Sequence, residues 1–278
     1  MNSDRLRFQS WIEQQIGCRD LSKWESYKEK LIAFVVDKSH IDSARAELGK
    51  DAVSLFTKAL ISCCSGIQDA SNQHTGWGLV KLYYSLFYSS RANLCARQQG
   101  LARNRSWVRF DLTAINSPCI KLLKKYRNDH EVALYVYSDL YGASDPLLTN
   151  NIEGQPPYEW MMDTRNIVNY RISHFSDPLF PTHIQSAMKV YAPGSIKSIL
   201  DSYMDDTGNI LSFQPEHAWL AIPFKQVLKC REEIRLKNLI SDISVVQLDH
   251  LEALPAILPA RAIAALNLRS FLFPSSET

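Results

Sequence analysis

Residues 77–99 read Trp77-Gly78-Leu79-Val80-Lys81-Leu82-Tyr83-Tyr84-Ser85-Leu86-Phe87-Tyr88-Ser89-Ser90-Arg91-Ala92-Asn93-Leu94-Cys95-Ala96-Arg97-Gln98-Gln99. Apolar and small residues fill nearly every side of a helical wheel here. A helix that is hydrophobic on most sides sits at the centre of a bundle, because each side must be covered by a neighbour. Ser85, Ser89, Ser90 and Ala92 are small and let those neighbours come close. Gly100 is a natural stop for the helix. The stretch therefore predicts a mainly α, all-α type of fold: a helical bundle built around this segment.

The sequence before it supports the same class. Leu6, Phe8, Trp11, Ile12 and Ile16 recur at helical spacing, and Gly17 ends the run. Trp24, Tyr27, Leu31, Phe34 and Val35 predict a second helix. A third, carrying Ala46, Val53, Leu55, Phe56, Leu60 and Ile61, has Asp42 or Ser43 as its cap. Gly49 falls inside it, at a cost of about 1 kcal/mol relative to alanine, or marks a break.

After Gly100 the pattern changes. Ser106-Trp-Val-Arg-Phe-Asp-Leu112 alternates apolar and polar residues, so a short β element is expected near 106–112. Residues 118–141 read as helix again. Residues 144–157 are rich in Asn, Asp, Gly and Pro and read as a surface loop. A helix follows, with Pro156 and Pro157 in its first turn and an end near Phe175. Residues 178–194 are irregular, 205–209 form a turn, and a long helix spans about 215–240 with Pro223 inside it. One more apolar helix is expected around 256–271. If the chain divides, residues 1–195 form the bundle and 196–278 a C-terminal helical extension; a single domain is the alternative.

Composition bounds the function. The 278 residues carry 31 Lys and Arg against 29 Asp and Glu, a net charge of +2, which lacks the basic excess of a strong nucleic-acid footprint. The six cysteines include no C-x-x-C pair, so a zinc knuckle is not expected. The N-terminus is polar, no long apolar run is uninterrupted, and there is no P-loop or Gly-x-Gly-x-x-Gly. A soluble cytoplasmic protein with reduced thiols, without metal or cofactor and without a membrane partner, is the expectation.

The segment with most chemistry is Asp163-Thr-Arg165-Asn166-Ile-Val-Asn169-Tyr170-Arg171-Ile-Ser-His174. On a helix Arg165 faces Asn169, while Asn166, Tyr170 and His174 form one ladder at spacings of four. A guanidinium binds phosphate with paired donors, and an imidazole moves protons near neutral pH. Arg165, Asn166, Tyr170 and His174 are thus the candidate catalytic residues of a metal-independent ribonuclease. An equally good account makes them a helix-bridging or solvated face.

This segment resembles the signature helix of the HEPN family, helical domains of prokaryotic toxins and defence ribonucleases. Their motif is an arginine, a polar residue that is often asparagine, three to five further positions, then a histidine. Arg165-Asn166 matches its opening, and the tyrosine-rich helix around Tyr83, Tyr84 and Tyr88 is similar to the family's first helix. The place five after Arg165 holds Tyr170, and His174 lies nine after it. The resemblance, over about residues 42–175, implies a bacterial origin and an HEPN-like bundle. Family members that lose the histidine are binding or scaffold modules. The expected function is therefore a non-catalytic subunit of a multi-protein defence or toxin–antitoxin assembly. Its partners are other subunits, such as an ATPase or a nuclease, in a hetero-oligomer.

A second cluster, Arg103, Arg105, Trp107 and Arg109 with Arg97, mixes cations with an aromatic ring as single-stranded nucleic-acid surfaces do. It is the candidate surface of a nucleic-acid-binding adaptor. Lys121, Lys124, Lys125 and Arg127 beside Tyr126 read as a solubilising face. His183 and His217 stand alone and receive no role.

Overall fold

The computed structural model describes residues 5–122, 126, 128–191, 194–239, 251 and 254–268. The architecture is mainly helical with a small antiparallel sheet. The basic residues Lys124, Lys125 and Arg127, and positions 269–271 of the apolar helix expected around 256–271, lie outside the described residues.

The core is a helical hairpin. Helix α3 (Ile41–Ser71) turns through Asn72–His74 into α4 (Thr75–Ala96). Their axes approach at two glycines. A methyl group on Gly66 would lie 2.9 Å from the Gly78 carbonyl oxygen, and one on Gly78 would lie 2.9 Å from that of Gly66. Further along, the Ser85 hydroxyl donates to the Ala59 carbonyl across the same seam at 2.9 Å. The small residues of α4 are thus what lets α3 close on it. Gly49 lies within α3 without breaking it.

Helix α1 (Arg7–Gln15) docks on α3. Leu6, at its N-cap, offers no polar side chain. Asp51 of α3 replaces that cap, accepting from the backbone N–H of Arg7 at 2.7 Å and of Phe8 at 3.0 Å. Exposed backbone donors at a helix start need such an acceptor. The expected second helix is shorter than its apolar spacing suggests. A 3₁₀ turn (Leu21–Tyr27) leads into α2 (Lys28–Ala33), and Val35–Val36 form strand β1.

The β element is larger than the alternation at 106–112 indicated. Strands β2 (Gln99–Asn104), β3 (Ser106–Asp111) and β4 (Ser117–Lys121) form an antiparallel meander, and β1 joins at its edge in the order β1-β4-β3-β2. Residues 118–121, expected to be helical, belong to this sheet. Helix α4 ends at Ala96, and Gln98, at φ 63°, turns the chain into β2. Gly100 has a packing role instead of a stop: a methyl group there would collide with the Phe8 ring.

Helix α5 (Asp129–Tyr141) starts at Asn128, whose side chain accepts from the Glu131 backbone N–H at 2.9 Å. Helix α6 (Pro157–Asn166) follows the loop, with proline at its first position. Helices α7 (Ile196–Asp205), α8 (Pro215–Leu236) and the short α9 (Ala260–Leu266) complete the described chain. Pro223 lies inside α8. One hydrophobic core runs from Phe8 to Leu268, and α8 packs along α4 within it. The cut expected near residue 195 therefore does not separate two cores. All described cysteines are unpaired, and five of the six are buried. No described helix is long and apolar enough to cross a membrane.

Candidate functional site

Helix α4 is buried at every position except Trp77, Lys81, Tyr84 and Tyr88. Spacings of four, three and four place these four on one stripe. Helices α5 and α6 flank it and bring the candidate residues to its edge.

Arg165, in the last turn of α6, lies over this stripe. Its Nη2 donates to the Tyr84 hydroxyl at 2.9 Å, and Nη1 donates to Asn166 Oδ1 at 2.9 Å. Its guanidinium carbon is 5.4 Å from the ring centres of both Tyr83 and Tyr84 and 5.0 Å from that of Tyr170. Three rings within such a distance hold a cation by their quadrupoles.

Tyr170 reaches that place through a change of helix type. After Asn166 the backbone widens into a π turn over Ile167–Arg171. The wider turn brings residue i+5 over residue i, so Tyr170 stacks back on Arg165. An α-helical ladder of Asn166, Tyr170 and His174 is accordingly not what forms. The chain becomes extended at Ile172, so the helix stops short of the end expected near Phe175. His174 lies beyond it, exposed, with Nδ1 3.0 Å from the Ser173 hydroxyl. Among the described contacts none joins it to Arg165.

An imidazole does reach the cluster, from another helix. His130, at the start of α5, stacks on Phe87 at 4.2 Å and lies edge-on to Tyr84 at 5.1 Å. Its Nδ1 is 3.2 Å from the Tyr83 hydroxyl. Burial, then the positive charge of Arg165, push its pKa down to about 4, so the ring is neutral at pH 7. Burial also raises the pKa of Tyr83, which keeps its proton and can donate it to Nδ1. That arrangement leaves the imidazole proton on Nε2.

No sequence signal singles out His130. The Asn128 cap and the acidic first turn of α5 were legible signals of a helix start. Nothing in the spacing tells that this start packs against Tyr83, because the two are 47 positions apart.

The second cluster is not an open basic patch. Trp107 is buried, and Arg103 lies over its ring at 5.6 Å while pairing with Asp129 at 3.7 Å. Arg105 pairs with Glu25, and Arg109 with Asp111 and the Gln99 amide. Arg97 pairs with Glu233 at 2.9 Å and lies over Tyr141 at 4.5 Å. Each guanidinium is thus matched inside the chain. Of the lone histidines, His217 meets the Tyr203 hydroxyl at 3.0 Å. No group of three potential metal ligands occurs among the described residues.

Comparison with protein-family models, with curated proteins and with solved structures finds nothing that matches this chain.

Proposed function

We infer that this protein is a non-catalytic helical subunit of a bacterial multi-protein defence or toxin–antitoxin assembly. It docks a partner subunit on the stripe Trp77, Lys81, Tyr84 and Tyr88 together with Tyr170. The resemblance to HEPN domains supplies the class of assembly. The observation that carries the reading is the state of Arg165: its guanidinium is held by three tyrosine rings and two side-chain acceptors, while exposed His174 makes no described contact with it. An arginine so engaged braces a surface. The stripe beside it presents rings at its exposed edge, with Trp77 at 48% and Tyr170 at 70% exposure. Aromatic residues of this kind anchor interfaces.

The experiment is co-purification from the host of complexes formed by the wild type and by a Trp77→Asp/Tyr170→Asp variant. Partners should be retained by the first and lost by the second, with both equally folded. An unchanged complex would overturn the docking surface.

One observation favours a second reading. His130 stands where an imidazole could serve a guanidinium, so metal-independent RNA cleavage would use Arg165, Asn166 and His130 in place of His174. Cleavage of RNA in EDTA that disappears with both Arg165→Ala and His130→Gln would establish it over the first.

A further inference from the structure

A ladder of alternating cations and rings crosses the exposed side of the helical hairpin. Lys58 Nζ of α3 lies 5.7 Å from the ring centre of Tyr88, and that ring is 6.1 Å from the ring of Tyr84. Arg165 carries the ladder on from Tyr84 to Tyr170. Both ends are cationic and exposed: Lys58 at one, and Arg171, next in sequence to Tyr170, at the other. Among the described residues neither of these two forms an ion pair. The carboxylate beside the stripe is already engaged, since Asp69 of α3 pairs with Lys81 at 2.6 Å. The Lys58–Tyr88 and Lys81–Asp69 contacts set one stripe of α3 alongside that of α4. Between them α3 carries Ser62 and Ser65, so Lys58 to Asp69 follows spacings of four, three and four. Both serines are half-buried and small, and α3 therefore puts no bulky side chain between those two contacts.

We propose that this face takes an acidic amphipathic helix of the partner subunit. The inference rests on the reading of the chain as a docking subunit, and it adds the chemistry of what docks. Trp77 to Tyr88 spans about 16 Å of helix, or about three turns. A partner helix of that length lays its apolar side chains on the rings, as helices docked in grooves do. Its carboxylates then meet Lys58 and Arg171, where charge of opposite sign selects the partner. Single-stranded nucleic acid would also use rings and cations. Two unpaired cations are few for it, because nucleic-acid binders commonly make about six to ten phosphate contacts.

The test is fluorescence anisotropy with a labelled peptide, two tandem copies of Glu-Leu-Leu-Glu-Ala-Leu-Ala-Glu, and a counterpart carrying Lys at the acidic positions. The wild type should bind the first and not the second. Lys58→Gln/Arg171→Gln changes two exposed side chains and should weaken binding about tenfold, with the unfolding transition unmoved. No binding, equal binding of both peptides, or an unaffected variant would sink the proposal. So would tighter binding of a labelled oligothymidylate, which assigns the ladder to single-stranded nucleic acid. A wild-type dimer in sedimentation that the variant lacks assigns it to a second copy instead. Host complexes separate the acidic helix from the docking surface itself. Loss with Trp77→Asp/Tyr170→Asp but retention with Lys58→Gln/Arg171→Gln keeps that surface and removes its acidic occupant.

Discussion

Arg165 of α6 donates to the hydroxyl of Tyr84 on α4 at 2.9 Å, across 81 positions of sequence. That bond fixes the relation between the central helix and the segment that looked most like chemistry. It also limits what the guanidinium is free to do, because Asn166 takes Nη1 and three tyrosine rings surround the group, while Nε is buried without a described acceptor.

Replacing Arg165 should accordingly read out as stability before activity. Arg165→Ala removes two side-chain hydrogen bonds and the cation–π contacts, for a loss of about 1–3 kcal/mol in urea unfolding. Arg165→Lys keeps the charge but not the planar fork, and should lose about half of that. A variant as stable as the wild type would show that the cluster does not brace α6 on α4.

Buried Asp51 and half-buried His130 make stability depend on pH in opposite senses. Burial raises the pKa of Asp51 to about 6, and its backbone hydrogen bonds to α1 offset this only in part. The native state then holds that proton more tightly than the unfolded chain. This contribution is full below about pH 4 and is lost as pH rises through 6. His130 runs the other way. Its folded pKa of about 4 lies below the ordinary 6.5, so its contribution is full above 6.5 and is lost as pH falls through 4. Wild-type stability should be nearly flat from pH 4 to 6. His130→Gln should expose a fall with pH of about 2 kcal/mol over the window, and Asp51→Asn a smaller rise, because solvent screens the half-exposed His130. Chemical denaturation at several pH values measures both; parallel profiles in all three proteins would contradict both shifts.

The helical hairpin should be intolerant of a single methyl group. Gly66→Ala places a carbon 2.8 Å from the Leu82 side chain and 2.9 Å from the Gly78 carbonyl oxygen, and the backbone cannot step aside. A loss of about 1–3 kcal/mol is expected. Gly49→Ala is the control. Among the described residues its new methyl would meet only the flexible Leu239 side chain at 3.2 Å, and alanine is the better helix former. A drop in thermal midpoint for the first and not the second is the expected pattern.

Asp145 is fully buried, and its Oδ2 meets two proton donors. Lys229 Nζ lies 2.6 Å away, and the Tyr137 hydroxyl donates at 2.8 Å. Lys229→Met strands the carboxylate and should cost about 3 kcal/mol, whereas Lys229→Met/Asp145→Asn should recover part of it. Additive losses in the double variant would show that the two side chains do not act together.

The bundle was legible because α4 declares itself: few stretches are apolar on so many sides, and such a helix has nowhere to go but the centre. The start of α6 was equally clear from Pro156 and Pro157. The sheet was only partly so. Ser106–Leu112 alternates, but β2 carries glycine and β4 starts Ser117-Pro118, so neither shows the period of a half-buried strand. Those strands exist because β3 pairs with both. The candidate site was half visible. Arg165 and Asn166 could be picked out by residue type, whereas the π turn that carries Tyr170 back over Arg165 has no periodic signature, and His130 enters from a helix far away in sequence.

Since only four side chains of α4 escape the interior, the remainder of that helix is bound to the protein's own architecture. Trp77, Lys81 and Tyr88 form a short alphabet that selection, or a designer, can rewrite without reopening the fold, whereas Tyr84 is tied to Arg165. A lineage of such chains would be expected to keep its skeleton while trading companions through those letters.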